Sequence, residues 1–245
     1  MNDTLLAIAD LHGHLAHLNA LVAHADRHLP RATLVTLGDY VDNGPDVPGL
    51  LDRLIQLHQQ REGRFRSILG NHDLACLRAL RDPVWYRRWA SRYWDPGQGT
   101  PRAYGATSFE TLAQRMPPIH KRFLRSLPWF LDLEGHLFVH AGLRRGPISP
   151  QLEPLERKLL PSERLHLPPA LRDKSLAAVS DPAWERVVVS GHTKRPGNPH
   201  VFTPTRICLS GEVDRSGVLY AVGLPSRRVW RVAPDLSVTV SESQD

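Results

Sequence analysis

The sequence predicts an α/β layered fold. Three observations carry that expectation. Three strand–loop–helix units follow one another from the N-terminal end, each strand runs directly into a short polar segment, and the C-terminal part is rich in further strands. In the first unit, Thr4-Leu-Leu-Ala-Ile-Ala9 reads as a strand and ends in Asp10-Leu-His-Gly-His14. A helical pattern follows, with Leu15, Leu18, Leu21 and Val22 on one face. In the second, a buried strand from Ala32 to Leu37 ends at Gly38-Asp39. A helix from about Asp46 to Gln60 follows, with Leu50, Leu51, Leu54 and Leu57 on its apolar side. In the third, Arg66 to Leu69 is a short strand, and Gly70-Asn71-His72-Asp73 opens a helix. Open α/β sheets collect ligand sites at such strand ends.

From Pro83 to Pro118 the chain changes character, carrying Trp85, Tyr86, Trp89, Tyr93, Trp94 and Tyr104 among prolines and glycines. This reads as a helical insertion that lines or covers a site, compatible with a small aromatic core of its own. Trp129–Leu133 and His136–His140 read as a hairpin turned at Glu134-Gly135, and the Pro-rich stretch from Pro147 to Pro182 as loops with short helices. Arg186–Ser190 is another buried strand, leading to Gly191-His192-Thr193. Strands near Arg206–Leu209, Gly217–Val222 and Val229–Val232 suggest a second sheet. The 245 residues are expected to form one domain, 1–245.

Composition narrows the partners. The net charge is +6, and only four of the 31 basic residues are lysine (Lys121, Lys158, Lys174 and Lys194). The arginine fork suits an anionic substrate, although a compositional bias of the source is the better account of it. No run of five basic residues occurs, so no specific nucleic-acid partner is expected. Cys76 and Cys208 form no disulfide framework, no leader pattern is seen, and no apolar run approaches ~20 residues. A cytoplasmic chain without a membrane partner is expected.

Five polar clusters carry the chemistry: Asp10-x-His12, Gly38-Asp39-x-Val-Asp42-x-Gly44, Gly70-Asn71-His72-Asp73, Val139-His140-Ala-Gly142 and Gly191-His192-Thr193. Singly each is an ordinary turn, and isolated histidines such as His24, His28, His58, His120 and His166 are surface or local structure. Together they supply Asp, His and Asn, a nitrogen/oxygen donor set that suits Mn, Fe or Zn. Glycines let the backbone turn tightly and approach a ligand.

In this order the clusters resemble the signature of the calcineurin-like metallophosphoesterases. More narrowly, they resemble the bacterial branch of the serine/threonine phosphoprotein phosphatases. The form Gly70-Asn-His-Asp-Leu74 is also like that of symmetrical diadenosine tetraphosphatases. The resemblance covers roughly residues 4 to 225. It implies a four-layer α/β/β/α sandwich of two mixed sheets flanked by helices. It also implies two divalent metal ions, with manganese expected and iron or zinc as alternatives. Asp10 and His12 would bind the first metal, Asp39 would bridge, and Asn71, His140 and His192 would hold the second. Bridged cations lie ~3.5–4 Å apart, the separation used for in-line phosphoryl displacement by a shared water. His72 would be the general acid for the leaving oxygen, paired with Asp42; the alternative is that it only caps the following helix. His14 and His17 are read as first-turn helix residues, with the rim of the site as the lesser alternative for His14.

Three positions depart from the family pattern. Asn43 stands where a phosphate-clamping arginine is usual, Leu209-Ser210-Gly211 replaces Asp-Thr-Gly, and neither Arg157 nor Arg164 matches the second clamp arginine. Asn43, Asn71 and Arg144 are the candidate substrate contacts, with Arg145 beside the last. The leading expectation is a phosphomonoesterase acting on phosphoserine or phosphothreonine proteins or small phosphoesters. The alternatives are a dinucleoside polyphosphate or phosphodiester hydrolase, whose base the aromatic insertion would stack, and a non-catalytic binder of phosphorylated or nucleic-acid partners.

Overall fold

The computed structural model describes residues 3–90, 99–161, 166–194 and 200–242. Strand β1 (Leu5–Ile8) is an unbroken buried apolar run, the pattern of a strand covered on both faces. Helix α1 (Leu15–His28) buries Leu18, Leu21, Val22 and Ala25. Strand β2 (Thr33–Thr36) leads to α2 (Val47–Gln60), and β3 (Phe65–Ser67) leads to α3 (Asn71–Ala79). Helix α2 starts where the Asp46 carboxylate accepts the Gly49 N–H at 2.8 Å, with Pro48 in the first turn.

Helices α4 (Pro83–Ala90), α5 (Thr100–Ala103), α6 (Phe109–Arg115) and α7 (Pro118–Ser126) come next. The chain then forms β4 (Phe130–Leu133), β5 (His136–Val139), α8 (Ser149–Glu156), α9 (Pro169–Arg172) and β6 (Val187–Ser190). It ends with β7 (His200–Thr203), β8 (Arg206–Leu209), α10 (Val213–Ser216), β9 (Leu219–Leu224), β10 (Val229–Val232) and β11 (Val238–Ser241).

These strands form two mixed sheets flanked by helices, ordered β11-β10-β9-β1-β2-β3 and β4-β5-β6-β8-β7. The three N-terminal units pair in parallel, β1 with β2 and β2 with β3, as strands joined by crossover helices do. Alternation along β1 builds both sides of the core. Leu5, Ala7 and Ala9 pack against Phe138, Val189 and Ile207 of the other sheet, while Leu6 and Ile8 join Leu18, Leu21 and Leu50 under the helices. Each such buried Leu, Ile, Val or Phe side chain contributes roughly 1.5–3 kcal/mol.

The C-terminal strands do not make a second sheet by themselves. β8 and β7 join β4–β6, whereas β9 pairs antiparallel with β1 in the register Leu5↔Leu224 to Ile8↔Ala221 and extends the first sheet through β10 and β11. Local pattern identifies a strand without naming its neighbour, and here all of β9 except Tyr220 is buried. β7, with a half-buried pattern throughout, and β11, largely exposed, are edge strands that sequence reading did not find. In the aromatic stretch, Trp85 and Trp89 are buried in the core with Leu112, Met116 and Leu124; Tyr93 and Trp94 lie outside the described residues. No described helix is long and apolar enough to cross a membrane, and Cys76 and Cys208 are buried free thiols.

Candidate metal centre

Every polar cluster leaves the end of a strand: Asp10 and His12 after β1, Asp39 and Asp42 after β2, Asn71 and His72 after β3, His140 after β5, His192 after β6. The backbone there is strained. His12, Asp39, Asp42, Asn43 and His192 have φ of 38°, 55°, 66°, 62° and 66°. Left-handed backbone costs a non-glycine residue roughly 1–2 kcal/mol, and such strain collects at functional sites. Two glycines allow the chains to close on the carboxylates: a Cβ on Gly70 would collide with the Asp39 carboxylate, and one on Gly211 with that of Asp10.

Three histidines are oriented by backbone carbonyls. Nδ1 of His12 lies 2.9 Å from the Val41 oxygen, Nδ1 of His140 2.6 Å from that of Leu37, and Nε2 of His192 2.8 Å from that of Arg172. Each carbonyl takes a ring N–H, which leaves the opposite ring nitrogen for the interior. Those nitrogens converge on Asp39, whose Oδ2 is 3.8 Å from Nε2 of His12 and 3.2 Å from Nε2 of His140. Two groups of donors result among the described residues, His12–Asp39–His72 and Asp39–His140–His192, with Asp39 common to both. The Asn71 amide sits 2.8 Å from Nδ1 of His192 and 3.0 Å from Nε2 of His140. Its nitrogen can donate to both rings; turned over, its oxygen would stand beside two lone pairs, the arrangement a cation holds together. Asp10 is buried and accepts the His192 N–H at 2.9 Å, but it belongs to neither group.

The charges reflect that crowding. Burial alone would push His140 down, but the carboxylates of Asp39 and Asp10 outweigh it and raise the imidazole to about 9. Burial and the nearby His140 hold His192 down to about 3. Burial opposes ionisation of Asp39, yet His140 and His72 hold its carboxyl well below the ordinary value. Burial wins at Asp10, whose carboxyl is raised. Buried carboxylates facing oriented imidazoles form a donor set that fits divalent cations of the Mn, Fe or Zn type.

His72 stands apart. Its Nδ1 is 3.0 Å from Oδ2 of Asp42, its Nε2 is 4.0 Å from Oδ2 of Asp39, and its ring meets that of His12 edge-on at 4.7 Å. Its side chain is 13% exposed, against 0% for His140 and 2% for Asp39, so it is the part of the cluster nearest to solvent. Burial raises the Asp42 carboxyl, but bonds from His72 and Thr100 outweigh it and hold the group below its ordinary value.

Asp73, which sequence reading left without a role, ties two loops together. Its carboxylate accepts the backbone N–H groups of Asp39, Tyr40 and Gly70 at 2.9 Å and of Val41 at 3.3 Å. The signal was its place three residues after Gly70 at a helix start, where a carboxylate caps. Burial and the Asp39 charge push it up to about 7, against the pull of those N–H groups. Asp73→Ala would leave several buried donors without an acceptor, each costing about 1–3 kcal/mol. The expected result is a loss of at least about 3 kcal/mol in urea unfolding of the metal-free chain, on the same grounds. A loss below about 1 kcal/mol would mean that water replaces the carboxylate.

The profile of the calcineurin-like phosphoesterases matches residues 4–222. The chain belongs to that family. Its members are hydrolases of phosphoester bonds that use a divalent metal pair. Two curated relatives are bis(5'-nucleosyl)-tetraphosphatases of the symmetrical type. One, from Janthinobacterium sp. (strain Marseille), is 33% identical over 57% of this chain and 44% of its own length. The other, from Ralstonia nicotianae (strain ATCC BAA-1114 / GMI1000), is 41% identical over 56% of this chain and 41% of its own length. The match thus spans less than half of each relative. A crystal structure of a candidate diadenosine tetraphosphatase shares the fold with a TM-score of 0.60 at 20% identity, over 100% of this chain and 96% of that one.

The residues expected to contact substrate are less gathered than the donor cluster. Asn43 lines a cleft of about 520 Å³ together with His14, Gly44 and Arg102. The His14 ring bonds the carbonyls of Leu11 and His12, and His17 bonds that of Gly217; these are loop-holding contacts. Asn71 belongs with the histidines, as described. Arg144 is exposed, with its backbone N–H on Oε1 of Gln151 at 2.9 Å. Arg157 pairs with Glu153 at 3.0 Å, and Arg164 lies outside the described residues.

Proposed function

We propose that this phosphoesterase holds two divalent cations on Asp10, His12, Asp39, Asn71, His140 and His192, and that His72, oriented by Asp42, protonates the leaving oxygen. When bound, such a pair supplies Lewis-acid stabilisation of phosphoryl oxygens and a water of lowered pKa. The chain's own part is orientation. Three backbone carbonyls set the ring faces of His12, His140 and His192, and Asp73 fixes the loop that carries Asp39. The Asp42 carboxylate turns Nε2 of His72 toward Asp39. The observation that carries this reading is the convergence of oriented ring nitrogens on one buried carboxylate beside the His72–Asp42 pair. Manganese is the expected metal, and the cytoplasm is the expected location, in keeping with two free buried thiols.

The first substrate reading is a phosphate monoester, either a phosphoserine or phosphothreonine protein or a small ester. A second is a dinucleoside polyphosphate. It is favoured by what the two tetraphosphatase relatives are named for and by the cleft beside Asn43 and Arg102. Both are tested on metal-stripped chain with Mn added back, given either an alkyl phosphate or a bis(5'-nucleosyl) tetraphosphate. Mn-dependent release of inorganic phosphate from the monoester is expected. Release of nucleoside diphosphate from the tetraphosphate, with the monoester untouched, would move the assignment to the second reading. A chain that binds two Mn ions and turns over neither substrate would sink both and leave a phosphate-binding protein.

A further inference from the structure

The Asp42 carboxylate is held from two sides by residues of the aromatic insertion. Oδ2 accepts both the His72 Nδ1–H at 3.0 Å and the Trp89 indole N–H at 2.9 Å. Oδ1 accepts the Thr100 hydroxyl at 2.6 Å and the Thr100 backbone N–H at 3.0 Å. The Thr100 hydroxyl oxygen accepts the Asp42 backbone N–H at 3.1 Å. Asp42, Trp89 and Thr100 are 1%, 1% and 0% exposed, so water does not compete for these bonds. A carboxylate offers about four lone-pair sites, and here four donors fill them.

The arrangement leaves Asp42 no freedom. With Asp42 on a left-handed residue and both of its oxygens pinned, the one donor with solvent access is His72. Without the indole, Oδ2 could swing about the Cβ–Cγ bond, and the imidazole it anchors would swing with it. The reach at stake is small, because Nε2 of His72 is only 4.0 Å from the Asp39 carboxylate. Displacements of about 1 Å at a reacting group can cost roughly a hundredfold in rate. The buried indole donor also has a packing role, but a residue that only filled space would not need its N–H on the one oxygen that His72 uses.

We infer that Trp89, with Thr100 on the opposite oxygen, is a positioning residue for His72, acting through Asp42. This rests on the reading of His72 as the acid for the leaving oxygen. It follows that the insertion is part of the acid machinery and not only a cover. An acid matters most when the leaving group is poor. Misplacing it should therefore lower turnover of an alkyl phosphate far more than that of a nitrophenyl phosphate, whose leaving group departs as a stable anion.

The test compares the ratio of kcat on those two substrates in wild type, Trp89→Phe, Thr100→Val, Trp85→Phe and His72→Asn, each loaded with Mn. Calorimetric Mn titration confirms that two ions bind in each variant. The expected result is an alkyl-to-aryl ratio at least tenfold lower in Trp89→Phe, with KM within about twofold, the signature of an acid displaced by roughly the distance considered above. Trp85→Phe, the same truncation in the same helix, should keep the wild-type ratio. Should Trp89→Phe fail to fold, Thr100→Val reaches the same carboxylate from its other oxygen and should lower the ratio too. A ratio unchanged in Trp89→Phe and Thr100→Val but lowered in His72→Asn overturns the positioning role and leaves the acid assignment standing. A ratio unchanged in His72→Asn itself overturns the acid assignment, and the positioning role falls with it.

Discussion

His72→Asn is expected to lower kcat on an alkyl phosphate by about 10²–10⁴-fold, the contribution typical of a positioned general acid. The argument is geometric first. His72 bonds a buried carboxylate through Nδ1 and turns Nε2 toward the centre of the donor cluster. An asparagine of similar reach can keep a bond to Asp42, but it has no proton to give. The replacement should not empty the cage, because Asp10, His12, Asp39, Asn71, His140 and His192 all remain. Two Mn ions should therefore still bind, and KM should change little, since the lost interaction is realised mainly as the bond breaks. If Mn occupancy instead falls to one, His72 is serving as a ligand in the His12–Asp39–His72 group, and the acid must be sought elsewhere. An unchanged kcat with two ions bound would return His72 to the role of a helix-capping residue.

Much of the centre was legible in the sequence because each motif is local. Asp10-x-His12 and Gly70-Asn71-His72 each place their polar residues within one turn of a strand end, and the strands themselves show as buried apolar runs. The alternation of strands and helices was equally plain. What was not legible depends on pairing across long separations. Nothing in Leu219–Leu224 says that it lies beside Leu5–Ile8, so local pattern alone suggests a second sheet for the tail. Trp89 and Thr100 reach Asp42 from 47 and 58 residues away, and an aromatic in a helix carries no local mark of the oxygen it will bond. The carbonyl of Arg172, which orients His192, was likewise invisible, since backbone acceptors leave no trace in residue type. Asp73 falls between these cases: its helix-start position was visible, but its bonds to the loop after β2 were not.

Asp39→Asn should have the other large effect, because one side chain serves both donor groups. Its carboxylate is buried. Oδ2 faces Nε2 of His12, His72 and His140 at 3.8, 4.0 and 3.2 Å, and Oδ1 accepts the His72 backbone N–H at 2.9 Å. An amide of the same shape removes the negative charge that two adjacent cations would share. Mn occupancy is expected to fall below two, and turnover by at least ~10³-fold, since Lewis-acid stabilisation is worth several kcal/mol and each 1.36 kcal/mol is tenfold. Stability offers an independent readout. In the wild type, Mn at about 100 times its Kd adds roughly 2.7 kcal/mol per site, or roughly 5–11 °C in Tm for a chain of this size. The variant should lose most of that shift. Its metal-free form should also lose part of a pH dependence. His140, raised to about 9 chiefly by the Asp39 charge acting against burial, is protonated more readily folded than unfolded. The stability this supplies is complete below about 6.5 and disappears as pH rises through about 9. Metal-free wild type should therefore weaken between those limits more than Asp39→Asn does. A variant that keeps two Mn ions, its thermal shift and its turnover would show that Asp39 does not link the two donor groups, whatever its place between them.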